Sequence, residues 1–178
     1  HNNVGDTFVY DVGAGIGTRT IALSKMAAVI AFEHDEDKLK VLKMNTQGKI
    51  APNVMIVPKS LETTDPHAKD IPNLDGQLMQ LPEPTLVCIT GDSTRVLRGM
   101  TATMMLIKPV IYIDIANTED ISYQYSILVE RGYKMYWYSC PGFNLNNFKE
   151  KQLNITDNSF YMNILAIHED VEINDGGI

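Results

Sequence analysis

Hydrophobic residues fall in short runs separated by polar stretches along the whole chain. Phe8-Val9-Tyr10-Asp11-Val12 is β-branched and aromatic and ends at a glycine cluster, which predicts a buried strand. Thr18 to Met26 follows with Ile21, Ala22 and Lys25 at helical spacing, and Val29 to Glu33 predicts a second strand. Asp35 can cap a helix whose apolar stripe is Leu39, Leu42 and Met44. Val54 to Val57 is a short third strand, stopped by Pro58. The stretch from Lys59 to Pro84 is proline-rich and is expected to be a surface connection with a short helix over Leu74 to Leu81. Leu86 to Ile89 predicts a fourth strand, Arg95 to Ile107 a helix interrupted by Gly99, and Val110 to Ile115 a fifth strand. Glu119 to Arg131 is the best amphipathic pattern, with Ile121, Tyr125, Leu128 and Val129 on one face and Gly132 at the C′ position. Tyr133 to Tyr138 and Asn163 to His168 complete seven strands, with a long polar loop over 139–161 and an acidic tail over 169–178.

Strands alternating with helices imply an α/β fold, a doubly wound and mostly parallel seven-stranded sheet. Such sheets bind ligands outside the carboxyl ends of their strands. That rule nominates 11–18, 33–35, 58–61, 90–94, 114–119 and 138–147. A chain of 178 residues is one domain. Only seven residues precede the first strand, so a domain of a longer protein is expected.

Charge narrows the partners. Fifteen basic and 22 acidic residues leave a net charge of −7. An acidic chain is poorly suited to nucleic acid, whose binding rests on Lys and Arg neutralising phosphates. No run is long enough for a membrane helix. Cys88 and Cys140 form no CxxC and are expected to be unpaired thiols in a reducing, cytoplasmic compartment. No cluster has metal-ligand spacing, so no metal is expected.

The strongest chemical signal is Asp11-Val12-Gly13-Ala14-Gly15-Ile16-Gly17. A dinucleotide fingerprint needs a glycine at position 18, which is Thr18. The spacing here is GxGxG with an acid two residues ahead. Asp11 suits a cationic group near the loop and would repel a pyrophosphate. Glu33, at the end of the second strand, can take both hydroxyls of a ribose. A ribose, a positive amino-acid end and no phosphate together describe S-adenosylmethionine. The expected cofactor set is Asp11, Gly13, Ala14, Gly15, Gly17 and Thr18 of the loop, Glu33 with His34 beside it, and Ser60 after the third strand.

These residues resemble a known family. Val9 to Thr18, followed by Val29 to Glu33, is similar to the FkbM family of S-adenosylmethionine-dependent methyltransferases. Arg95-Val96-Leu97-Arg98-Gly99, Lys108-Pro109-Val110-Ile111-Tyr112-Ile113, and Phe143 to Phe148 with Asn163-Ile164-Leu165-Ala166 resemble later segments of it. The resemblance spans most of 8–168. It implies a Rossmann-like class I methyltransferase fold and O-methylation, often of a sugar or other hydroxylated acceptor. One segment departs. Where the family reads like Lys-Ile-Asp-Val-Glu-Gly, this chain has Cys88-Ile89-Thr90-Gly91-Asp92-Ser93, so part of an acidic pair is absent.

Methyl transfer to an alcohol needs alignment, exclusion of water and a group to take the proton. Asp92, after the fourth strand, is the first candidate, although it also suits a helix N-cap. Asp114, near the end of the fifth strand, is the second, although it could instead pair with a nearby Lys or Arg. Asn144, Asn146 and Asn147, with Trp137, Tyr138 and Phe143, make a polar and aromatic loop suited to a glycan or small-molecule acceptor. His168 reads as structural. The leading expectation is O-methylation of a sugar or glycan hydroxyl. A non-catalytic cofactor-binding domain and an RNA methyltransferase are the alternatives.

Overall fold

A computed structural model of the chain describes residues 7–61, 73–78, 80–115, 120–141 and 160–172. Its strands are β1 (Phe8–Val12), β2 (Ala28–Phe32), β3 (Val54–Val57), β4 (Leu86–Ile89), β5 (Val110–Asp114), β6 (Tyr133–Pro141) and β7 (Phe160–His168). Its helices are α1 (Thr18–Leu23), α2 (Glu36–Thr46), α3 (Leu74–Gln77), α4 (Ser93–Arg98) and α5 (Ile121–Val129), with a π-helical turn over Thr103–Ile107. All seven strands join one sheet in the order β3-β2-β1-β4-β5-β7-β6. The first five are parallel, and β7 runs antiparallel to both neighbours. β1 lies inside the sheet between β2 and β4, which is why its residues are buried on both faces, Asp11 among them.

Alternate residues divide the two faces. Tyr10, Val12, Ile30, Phe32, Val87, Ile89, Ile111, Ile113, Ile164 and Ala166 point to one face. There they pack with Val96, Leu97, Met100, Met104 and Leu128 into the main core. On the other face Ala31 packs with Leu39 and Leu42 of α2, and Val9 and Cys88 pack near Leu23 of α1. The sequence order therefore places the carboxyl ends of β1, β2, β4 and β5 side by side.

Several helix faces differ from the periodicity reading. In α1 the fully buried residue is Thr20, not Ile21, Ala22 or Lys25, because its hydroxyl serves a buried carboxylate. Met44 is exposed, while Leu39 and Leu42 are buried. In α5 the buried residues are Gln124 and Leu128, whereas Tyr125 and Val129 face solvent. Gln124 can be buried because its amide donates to the Ser93 hydroxyl at 2.7 Å. Glu119 lies outside the described residues. The single helix expected over Arg95 to Ile107 is two elements, and its Met105 is exposed. β6 and β7 are longer than expected, since each extends along the other as an antiparallel pair.

The proline-rich segment is not only a surface connection. Leu61 and Leu74 are buried in the main core. Asp75 accepts from the backbone N–H groups of Ala102 and Thr103 and from the Thr103 hydroxyl. It thereby caps the turn that leads into β5, and hydrophobic periodicity carries no signal for such a long-range cap.

Leu74→Ala should therefore cost about 2–5 kcal/mol, the range for a truncated core leucine. Urea unfolding measures it, and a cost under about 0.5 kcal/mol, as for a surface site, would contradict the placement.

Candidate functional site

The site begins where β1 ends. Gly13, Gly15 and Gly17 all have positive φ, at 71°, 59° and 92°, a region L side chains seldom adopt. Gly13 has a second constraint: a Cβ there would stand 2.2 Å from the Thr90 carbonyl oxygen. A Cβ at Gly17 would meet Leu42 Cδ1 at 2.6 Å, so this glycine lets α1 approach α2. Ala14 is buried against that same contact, and Thr18 is the exposed first residue of α1.

The loop's amides are spent internally. Gly13 and Ala14 N–H donate to the Phe32 carbonyl, both at 3.0 Å, and Gly17 N–H to the Ala14 carbonyl. Gly15 N–H donates to Glu33 Oε2 at 2.9 Å. A phosphate cradle would offer such N–H groups to the ligand. This loop instead directs four of them inward.

A cavity of about 210 Å³ opens beside it, lined by Val12, Gly13, Gly15, Phe32, Glu33, His34, Lys38, Lys59, Ser60, Leu61, Thr90 and Gly91. Among the sequence-nominated residues, Gly13, Gly15, Glu33, His34 and Ser60 meet here. Asp11, Ala14, Gly17 and Thr18 do not line it. Phe32 and Lys38 fall outside the nominated strand-end segments, whereas Val12, Lys59, Leu61 and Gly91 lie within them without having been singled out.

Glu33 is the one carboxylate among the lining residues and is only 4% exposed. Its Oε1 accepts from the His34 and Asp35 amides at 2.8 and 2.9 Å. With the Gly15 bond that makes three, against about four acceptor sites on a carboxylate. One acceptor position remains beyond these backbone bonds. Asp35 caps α2 through the Asp37 and Lys38 amides. The Lys38 bond above all, then the Asp37 one, holds its carboxyl below the usual range despite some desolvation.

Asp11 is fully buried, and its partner is internal rather than a ligand. Its Oδ1 accepts from Arg19 Nε and Nη2 at 2.8 and 2.6 Å, and its Oδ2 from the Thr20 hydroxyl at 2.6 Å. The cation expected from a cofactor is supplied here by Arg19, a residue the sequence reading did not single out. Burial alone would lower the Arg19 guanidinium, but Asp11 foremost among its neighbours carries it above its ordinary value. Arg19 Nη1 also donates to Asp114 Oδ2 at 2.7 Å.

Asp114 is thus the arginine-paired carboxylate that its sequence position allowed for. The Thr90 hydroxyl donates to the same Oδ2 at 2.6 Å. The Asn163 amide, oriented by its hydrogen-bond partners, donates to Oδ1 at 3.2 Å and accepts from the Tyr112 hydroxyl at 3.0 Å. Asp114, Asn163 and Tyr138 form one row across β5, β7 and β6. Tyr138 and Trp137 are exposed. Asp92 caps α4, accepting from Arg95 N–H at 3.1 Å, and it pairs with the Arg95 guanidinium at 2.9 Å.

Phe143, Asn144, Asn146 and Asn147 lie outside the described residues. His168 packs edge-on against Tyr133 at the opposite end of the sheet from the cavity. Among the described residues, no group of three or more His, Cys, Asp or Glu could hold a metal ion, and no helix is long and apolar enough to cross a membrane.

Comparison with solved structures establishes the architecture. A precorrin-6y C5,15-methyltransferase from Geobacter metallireducens superposes with a TM-score of 0.62 at 17% identity, over 92% of this chain and 80% of its own. The methyltransferase FkbM from Methylobacillus flagellatus superposes with a TM-score of 0.61 at 18% identity. The match covers 91% of this chain but only 44% of that protein. A putative methyltransferase from Streptococcus mutans, in complex with SAH, gives 0.59 at 13% identity over 92% and 89%. The chain has the Rossmann-like fold these methyltransferases share. At such identities the likeness shows the fold and not membership of a family. No protein-family model and no curated protein sequence matches the chain.

Two outcomes check the local chemistry. Asp92→Ala should lower stability by about 1 kcal/mol through loss of the α4 cap, read by urea unfolding, and an unchanged midpoint would contradict the capping role. Cys88 is buried on β4, and burial pushes its thiol up to about 12. In a Cys140→Ser variant, a disulfide reagent at pH 8 should label Cys88 only after unfolding. Rapid labelling of the folded protein would show that the thiol is accessible.

Proposed function

We propose that the chain is an S-adenosylmethionine-dependent methyltransferase of the FkbM type, acting on a hydroxyl of a sugar or glycan. One observation carries the cofactor reading. A buried carboxylate at the end of β2 lines the glycine-loop cavity, and the N–H groups of Gly13, Ala14, Gly15 and Gly17 are already bonded within the protein. A carboxylate acceptor suits a ribose hydroxyl, and the bonded loop amides offer no N–H cradle to a pyrophosphate. Glu33, with one acceptor position left, would take one ribose hydroxyl rather than the pair its sequence position suggested. Gly13 and Gly15 would let the ligand lie close to the backbone, and His34 and Ser60 would flank the base.

Bound there, the cofactor supplies a methyl group on an electrophilic sulfonium. The chain's own task is to hold an acceptor oxygen in line and receive its proton. Asp114 is the carboxylate we assign to this, because it stands at the carboxyl end of β5, partly exposed and bonded to Thr90 of the cavity wall. Asp92 is committed to the α4 cap and to Arg95. Exposed Tyr138, two strands from Asp114 in the same row, offers an aromatic face to a ring-shaped acceptor. The overall charge of −7 favours a neutral acceptor over a nucleic acid.

Calorimetry with S-adenosylhomocysteine tests the cofactor assignment. Wild-type protein should bind it, and Glu33→Ala should weaken binding about tenfold or more, the loss of hydrogen bonds to a charged acceptor. No binding at millimolar ligand would sink the reading. Equal affinity of wild type and Glu33→Ala would remove Glu33 from the site.

A further inference from the structure

Arg19 joins two carboxylates that belong to different parts of the sheet. Asp11 is on β1 and Asp114 on β5, with β4 between them. At a strand spacing of about 4.8 Å, that is a span of roughly 10 Å. A planar guanidinium with donors on three nitrogens can bridge it, whereas a single ammonium holds one point. The Arg19 side chain is 22% exposed, and its Nη2 also reaches the Val12 carbonyl at 3.4 Å. Val12 and Thr90 line the cofactor cavity, while Asp11, Arg19 and Asp114 do not. Two links therefore run from the cavity wall to Asp114. One passes from Val12 through Arg19, and the other is the Thr90 hydroxyl.

We infer that Arg19 is the positioning residue of this site. It fixes the Asp114 carboxylate at the end of β5 and ties its orientation to occupancy of the glycine-loop cavity. The inference rests on the cofactor reading above. Its physical basis is the charge arrangement. Two carboxylates share one guanidinium, so removing that cation leaves Asp11 buried without its ionic partner and frees Asp114 to turn away. The Thr90 hydroxyl acts in the same place. Where the FkbM pattern has an acid after the fourth strand, this chain has a donor that holds the acid of the fifth. A second carboxylate at position 90 would instead repel Asp114.

The test is a double-mutant cycle read by S-adenosylhomocysteine calorimetry on wild type, Asp114→Asn, Arg19→Met and the double variant. Asp114→Asn keeps shape and removes charge. Although Asp114 does not line the cavity, this variant should weaken binding about fivefold or more, the lower end of measured site-to-site coupling. Arg19→Met should do the same, Arg19→Lys should not restore it, and the double variant should be no weaker than the weaker single. A merely structural arginine would lower the melting temperature without moving these affinities. If Arg19→Met does not fold, Asp114→Asn and Thr90→Val form the second cycle with the same expected non-additivity. Wild-type-like affinity in the folded single variants, or losses that multiply in the double, would overturn the positioning role alone. Absence of binding by wild type would overturn the cofactor reading and this inference with it.

Discussion

The close approach of Gly13 to the Thr90 carbonyl is the constraint around which the site is arranged. No side chain fits between them, since a Cβ would stand 2.2 Å from that oxygen. The chain leaving β1 must therefore turn over the end of β4 with a glycine at positive φ. That turn lets two successive amides reach the Phe32 carbonyl at the end of β2. The ends of β1, β2 and β4 are thus stitched together by backbone contacts alone. Glu33 then follows Phe32 into the cavity, and its carboxylate closes the arrangement by accepting from Gly15.

Inward use of the loop amides decides what the cavity can hold. A loop with free N–H groups concentrates positive potential and suits phosphate. Here the loop amides are taken up within the protein, one of them by a carboxylate that keeps capacity for one more donor. Lys38 and Lys59 stand on the same wall. The cavity therefore presents a fixed carboxylate acceptor beside two lysine side chains. Beyond it, the Asp11–Arg19–Asp114 chain carries a net charge of one negative across the middle of the sheet. It keeps a buried acid satisfied while leaving Asp114 partly in contact with solvent.

The sheet was legible from sequence because parallel strands buried on both faces leave runs rich in β-branched and aromatic residues, as in Val9 to Val12 and Val29 to Phe32. Glycine spacing and the acid at 33 marked the cavity for the same local reason. What stayed hidden depends on partners distant in the chain. Arg19 looks like an ordinary polar helix residue until Asp114, 95 positions later, comes beside it. Asp75 caps a turn 27 and 28 positions away. Gln124 is buried only because Ser93 is there to meet it. In each case a long-range hydrogen bond overrode the hydrophobic period.

The central claim is that the cavity at the ends of β1, β2 and β4 takes a nucleoside cofactor without phosphates. An amide NMR titration tests it most directly by comparing S-adenosylhomocysteine with ADP on the same sample. The account predicts that S-adenosylhomocysteine shifts the amides of Gly13, Gly15, Glu33 and Ser60 in a saturable way while ADP leaves them in place. Saturable shifts of the glycine-loop amides by ADP, with none from S-adenosylhomocysteine, would contradict it.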